Sequence, residues 1–409
     1  MWHDMVTLQE AGAIEGSMTG IRRIDEIIQI NADRLSVALD NHMRSTFMPD
    51  ARKELRKFTS AEAAEFLAID AARLRKFHFD GKIPEVEMDG RGRRMYSAES
   101  LIEIRRALET TSRKSGQFFP GRIPTEKLQI IAVANYKGGS SKTTTAIHLA
   151  QRLALRGYRV LAVDIDPQAS MTSMFGYSPE TEFRDGGTVY DAIRYDEPMP
   201  MRDVVRQTYF PNLDLAAAGL ILAEFEHETP RALNEGKEPR FFQRLGLAID
   251  QVQADYDVVV IDCPPQLGFL TMSAMIAATT VLITVIPSML DIASMNQFLA
   301  MTASLLEVVS RHGASLEYDH LKFLITRFEP SDGPQAQMAG FLRALFTDQV
   351  MTNTFLKSTA ISDAGLTQQT LYEVDKSEFN RNTYDRALES INNVVGEMEG
   401  LLRESWGRP

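Results

Sequence analysis

Apolar residues recur along this chain with two different periods, and the places where the period changes divide it into regions. Between residues 19 and 45, Ile21, Ile24, Ile28, Leu35, Leu39 and Met43 fall at three-, four- and seven-residue spacings, which predicts an amphipathic helix. A helix lying ahead of any compact domain needs a cover for its stripe, either a twin helix in a dimer or a surface of its own chain. Residues 57–110 predict two short helices, 60–67 and 70–77, joined by a tight connection and capped by Ser60 and Asp70. After Gly81 come an extended piece and the turn Asp89-Gly90-Arg91-Gly92-Arg93-Arg94, the pattern of a β-wing. The polar stretch 110–127 holds two glycines and two prolines and reads as a linker. Beyond it, apolar β-type runs at 128–134, 159–163, 213–217, 256–261, 280–286 and 321–326 alternate with helical segments such as 146–159, 242–253 and 289–309. That βα alternation predicts a doubly wound, mostly parallel sheet covered on both faces. The expected organisation is a helix region at 1–50, a small helical domain at 51–112, a linker at 113–127 and an α/β domain at 128–409.

The chemistry concentrates where the first long strand ends. Residues 128–134 run directly into Asn135-Tyr136-Lys137-Gly138-Gly139-Ser140-Ser141-Lys142-Thr143-Thr144-Thr145 and then a helix, the strand, turn and helix order that a P-loop requires. Backbone amides from Gly138 to Thr144 and the helix N-terminus would surround a phosphate chain. Lys142 would neutralise it, and the Thr143 hydroxyl would bind magnesium. The common pattern G-x-x-x-x-G-K-[ST] is not met, because Tyr136 and Ser141 stand at its glycines; K-G-G-x-G-K-[ST] fits except at Ser141. Should position 141 require a positive φ, serine there costs about 1–3 kcal/mol. The next strand ends in Asp164-Ile165-Asp166-Pro167-Gln168, and strand alternation sends both carboxylates to one side at the sheet's C-terminal edge. A third apolar run ends in Asp262, placed to hold magnesium through water, and is followed by Cys263 and the stiffening pair Pro264-Pro265. Cys263 reads as a small buried residue rather than a nucleophile.

These motifs together resemble the ParA/MinD family of P-loop ATPases with a deviant Walker motif. The resemblance implies that Lys137 reaches across a homodimer to the partner's phosphates, so that ATP is sandwiched between two subunits. It implies further that Asp166 positions or deprotonates the attacking water and that Asp164 assists the magnesium shell. The 60–94 region resembles the winged helix-turn-helix headpieces of MerR-type regulators. In that likeness Arg73, Arg75 and Lys76 face the major groove, while Arg91, Arg93 and Arg94 reach phosphates or the minor groove. A leading helix and winged helix ahead of the ATPase part are similar to the larger plasmid partition ATPases. The segments HLAQRLALRGYRVLAVDIDPQAS and ISDAGLTQQTLYEV look most like the RepA proteins of repABC plasmids. The resemblance thus implies a protein that uses ATP/ADP and Mg2+, is stimulated by a ParB-type centromere-binding partner, represses its own operon, and binds operator DNA through the winged helix. Sequence-independent DNA binding would belong to the ATP-bound dimer, with Lys357, Arg381 and Arg386 as candidates.

Composition trims the alternatives. The chain of 409 residues carries a net charge of −11, yet residues 51–122 hold 16 Lys plus Arg against 11 Asp plus Glu, so the acidity lies elsewhere. One cysteine excludes an internal disulfide, a Cys-based zinc site and an iron–sulfur cluster built within one subunit. No uninterrupted apolar run approaches the roughly 18 residues of a membrane span, and the start MWHDMVTLQE lacks a signal pattern, so a cytoplasmic protein is expected, to which the resemblance adds association with the nucleoid. Leu388, Ile391, Val395, Met398 and Leu402 form a C-terminal stripe, but Glu389, Glu397, Glu399 and Glu404 accompany it and would be repelled by an anionic membrane. Packing against its own domain is the expected use, rather than a MinD-like membrane anchor. A transcriptional regulator that senses nucleotide without turning it over is the other alternative.

Overall fold

Helix α1 (Ile24–Thr46) opens the computed structural model, which describes residues 23–46, 53–114 and 116–408 in two units divided between Arg52 and Lys53. Asp25 and Glu26 in its first turn suit the positive end of the helix dipole. Ile24, Ile28 and Leu35 of the expected stripe are all exposed. Ile21, and the side chains of Leu39 and Met43, lie outside the described residues.

The second unit begins with β1 (Phe58–Thr59), α2 (Ser60–Phe66), α3 (Ala71–Phe79), β2 (Met95–Tyr96) and α4 (Ala98–Thr111). The cap of α2 is Thr59, not Ser60. Thr59 holds an extended backbone, its hydroxyl accepts from the Glu62 amide, and the Glu62 side chain returns the bond, a reciprocal box that leaves Ser60 inside the helix. Asp70 caps α3 as expected, accepting from the Arg73 amide at 2.7 Å. The two short strands pair antiparallel, Phe58 opposite Tyr96, and a single bridge joins Met88 to Arg94 beyond them.

The expected linker is instead a fastened strap. Phe118 is buried, the Arg122 side chain donates to the carbonyls of Tyr256 and Glu126, and the Arg122 amide donates to Asp257. Arg105 of α4 lies buried, giving bonds to the carbonyls of Phe118, Phe66 and Leu155. Gly and Pro set the backbone path of 113–127 but did not reveal these anchors, and the apolar core of Phe58, Leu74 and Leu101 is continuous with that of Ile131, Val160 and Val260.

A seven-stranded sheet forms the body, in the order β5-β6-β4-β7-β3-β8-β9. Its members are β3 (Gln129–Ala134), β4 (Val160–Asp164), β5 (Val205–Gln207), β6 (Leu213–Ala216), β7 (Val258–Asp262), β8 (Thr280–Val285) and β9 (His320–Ile325). All pairs are parallel except β5 with β6, an edge strand too short for a sequence pattern. Alternate residues feed two cores: Ile131, Val133, Val160 and Val260 on one face, Ile130, Ala132, Leu161 and Ile261 on the other.

The first face is covered by α5 (Lys142–Arg156), the headpiece and, far along the chain, α16 (Arg381–Ser405). Ile391, Val395, Met398 and Leu402 of α16 are buried there, which is where the C-terminal stripe goes. Short helices α6 (Ser170–Met174), α7 (Pro179–Glu182), α8 (Val189–Ile193) and α9 (Met201–Val204) follow β4. The second face carries α10 (Glu224–Asn234), α11 (Phe241–Asp250), α12 (Phe269–Ala277) and α13 (Met289–Arg311), while α14 (Gly333–Phe346) and α15 (Thr359–Leu366) lead into α16. Among the described residues α13 alone is long and apolar enough, by length and composition, to cross a membrane. Met295, Phe298 and Val309 of that helix are buried in the second core.

Candidate nucleotide site and basic headpiece

Parallel pairing brings the motifs to one edge. Asp262 is level with Val133 of β3 and with Asp164 of β4, so three strand ends open beside the turn 135–141. That turn is braced from the neighbouring strands. The Asn135 side chain donates to the Thr284 carbonyl and accepts from the Lys137 amide, and Thr326 donates to the Ser140 carbonyl at 3.0 Å. Gly139 sits at φ +77° and Ser141, the residue before α5, at φ +68° with no side-chain cap. Position 141 therefore does demand the left-handed backbone that glycine usually supplies.

Lys142 is buried and its Nζ donates to the Lys137 carbonyl at 3.2 Å. Burial lowers its pKa, while Asp262 leads the groups that hold the proton on. Asp166 accepts from the Gln168 amide at 3.0 Å and is pushed up by burial against that bond and the pull of Lys142. Asp164 is committed locally: one oxygen accepts from the Asp166 amide, the other from the amide and hydroxyl of Thr172 on α6. It sets the loop that carries Asp166.

Asp262 is fully buried and neither of its oxygens has a hydrogen-bond partner. Burial, then the nearby Asp164, push its carboxyl well up; the Thr143 hydroxyl, close but outside hydrogen-bonding geometry, pulls it back. A buried carboxylate left bare is costly unless a cation completes it. Among the described residues no three His, Cys, Asp or Glu side chains cluster as a metal cage. Mg2+ does not need one, since it takes one or two carboxylates plus substrate phosphates and waters, and the Asp262–Thr143 pair fits that demand. Burial raises the Cys263 thiol, keeping it neutral and unreactive.

The cavity in front of these groups measures about 550 Å³ and is lined by Gly138, Gly139, Ser141, Lys142, Thr143, Thr144, Asp166 and Pro265. Its far wall was not anticipated from the sequence: Arg327, which also donates to the Gly139 carbonyl at 3.3 Å, and the segment from Phe355 through Ser362. The only advance signal for Arg327 was its position just beyond the end of β9 on the ligand-binding edge, and the 355–362 segment follows no strand. Ser140 faces β8 and β9 rather than the cavity. Lys137 points elsewhere too, its Nζ 2.9 Å from Asp291 in the first turn of α13.

In the headpiece, Arg73, Arg75 and Lys76 are exposed along α3, Arg73 lying over the Phe77 ring. Arg91 and Arg93 are exposed in the turn, Arg93 paired to Asp89 at 2.7 Å, and Arg94 is half-buried. Of the more distant candidates, Lys357 pairs with Glu329, Arg381 with Asp385, and Arg386 donates to the Lys357 carbonyl.

Comparison with known proteins agrees with this geometry. Residues 128–312 match the family described as an AAA domain. The "Putative replication protein A" of Rhizobium rhizogenes is 50% identical over 386 residues, 94% of this chain and 96% of its own length. The chromosome partitioning protein ParA of Caulobacter vibrioides is 32% identical, covering 58% of this chain and 84% of the relative. A solved structure titled "Partition Protein" matches at 15% identity with a TM-score of 0.59, over 93% of this chain and 99% of the other, a likeness of fold. A site assembled at three parallel strand ends and relatives alike over nearly the full length give one conclusion: the chain belongs to the ParA-like family of P-loop proteins, alongside the RepA-type proteins of repABC plasmids.

Proposed function

We propose that this protein is the ATP-hydrolysing switch of a plasmid partition system, active as a nucleotide-dependent homodimer on DNA. The observation that carries the reading is the bare, buried Asp262 carboxylate close to Thr143, Lys142 and Asp166, which line the cavity. Amides from Gly138 to Thr144 and the α5 N-terminus bind the phosphates. Lys142 neutralises them. Asp262 and Thr143 hold Mg2+, which when bound offsets charge on the phosphate oxygens. Asp166 orients or deprotonates the attacking water, and its raised proton affinity suits a base. Asp164 contributes by holding the Asp166 loop and by its charge beside Asp262. Lys137 leaves Asp291 to meet the partner subunit's phosphates. Little covalent chemistry is required, because positioning and charge neutralisation catalyse phosphoryl transfer.

The headpiece acts as a winged helix: Arg73, Arg75 and Lys76 enter the major groove of an operator, and Arg91, Arg93 and Arg94 touch the backbone or minor groove. A ParB-type partner stimulates turnover, the operon is repressed through the headpiece, and the protein resides on the nucleoid rather than on a membrane. The test is magnesium-dependent ATP hydrolysis with and without DNA and the partner, for wild type, Lys142→Ala and Asp166→Ala. Slow turnover raised by the partner and lost in both variants is the expected result. Turnover absent under every condition would leave a nucleotide-sensing DNA-binding protein.

A further inference from the structure

The loop that leaves Asp262 is fastened at both ends, and the far fastening comes from an unrelated element. At the near end the Cys263 amide donates to the Val133 carbonyl at 3.2 Å, and Pro265 lines the nucleotide cavity. At the far end α12 begins at Gly268, which offers no side-chain cap. The cap is supplied by Glu226 of α10: its two carboxylate oxygens accept from the amides of Phe269 and Leu270, each at 2.9 Å. The arrangement needs a glycine, since a Cβ at position 268 would lie 2.4 Å from Glu226 Oε1. Thr271 adds a bond to the Gln266 carbonyl at 2.6 Å, so the last turn of the loop is held against α12.

A carboxylate at a helix start stabilises the helix wherever it occurs. The particular feature here is the segment it holds, the six residues between the metal-binding candidate Asp262 and α12. We propose that Glu226 is a positioning residue for hydrolysis: by gripping the first amides of α12 it fixes the far end of the 263–268 loop, so that Asp262 and Pro265 keep their place against the phosphate. The inference rests on the ATPase reading. Binding of the phosphate chain depends on 137–144, which Glu226 does not touch, so loss of the grip acts on turnover and not on affinity.

The test compares Glu226→Ala, Glu226→Gln, Gly268→Ala and the Glu226→Ala/Gly268→Ala pair. Expected are a roughly tenfold fall in kcat for Glu226→Ala with KM and ADP affinity within about twofold, a smaller fall for Glu226→Gln, which keeps one acceptor, and a fall for Gly268→Ala close to that of Glu226→Ala. The double variant falls no further than either single one, because without the carboxylate the added methyl has room. Hydrogen exchange supplies a readout independent of turnover. A non-hydrolysable ATP analogue with Mg2+ protects both 137–145 and 263–270 in wild type, and Glu226→Ala loses only the second protection. Should wild type show no turnover, the ATPase reading fails, and this exchange pattern still decides whether Glu226 sets the loop. Unchanged kcat, additive losses in the double variant, or retained protection at 263–270 would each reduce Glu226 to a helix cap.

Discussion

Ser141 carries the cost of the P-loop's shape. Its φ of +68° places a side chain where L-residues are strained, and the same residue opens α5 without capping it. Ser141→Gly relieves strain of about 1–3 kcal/mol but adds unfolded-chain entropy, for a net gain of about 1 kcal/mol in a urea titration. Two helical turns away, His148 is buried with Nδ1 2.7 Å from the Thr144 carbonyl and Nε2 facing the Leu371 amide at 3.4 Å, a pairing that only the neutral ring with its proton on Nδ1 satisfies. Burial holds its pKa down at about 4. The unfolded histidine takes up a proton near pH 6.5 while the folded one does not, so stability is complete above that pH and declines as pH falls toward 4. By pH 5 the loss is about 2 kcal/mol relative to pH 7. Unfolding midpoints for wild type and His148→Asn across this range check it: the variant lacks this component of the slope.

At the scale of elements, two fastenings matter. On the proposed reading Lys137 meets the partner subunit's phosphates, yet here it is held in cis by the nearly buried Asp291 at the start of α13. Asp291→Asn keeps a polar group near the Ser288 cap and frees the lysine, so nucleotide-dependent dimerisation should occur at several-fold lower protein concentration, read by analytical ultracentrifugation. Arg105 joins α4, α2 and the C-terminal end of α5 through three carbonyls. Burial lowers its pKa to about 9, and Arg156 adds to that. Arg105→Ala leaves the Phe118 and Leu155 carbonyls without that donor, while the Phe66 carbonyl keeps its bond from Arg156, and the expected loss is about 3 kcal/mol in denaturant unfolding.

For the whole molecule, the proposed reading requires a chain of net charge −11 to approach DNA. The α3 cations are exposed and none forms an ion pair there among the described residues, whereas Arg93 is already neutralised by Asp89. On the proposed reading, Arg75→Ala/Lys76→Ala lowers the slope of log K against log salt for operator DNA by about 2, and Arg93→Ala lowers it less. Binding isotherms between roughly 50 and 200 mM salt, the range in which such slopes are customarily read, provide the comparison. An unchanged slope would place the contact elsewhere on the headpiece.

The sequence by itself determined the local features. A phosphate-binding turn is read from contiguous residues because successive amides do the binding, and the six parallel strands were legible because strands buried on both faces must be apolar throughout. The C-terminal stripe was legible for a similar reason: residues 388 to 402 could be buried only on one face. Tertiary structure decided whatever depends on pairing. That Asp262 stands level with Asp164 is a result of strand order, that the 113–127 stretch is anchored results from Arg122 finding partners over a hundred residues away in Tyr256 and Asp257, and that β5 exists results from an open sheet edge. Glu226 and Arg327 belong to no local pattern, and the local Ser288 cap that contains Asp291 says nothing of its partner Lys137. Each matters through a contact made across the fold, and the energy of such a contact is absent from any window of sequence.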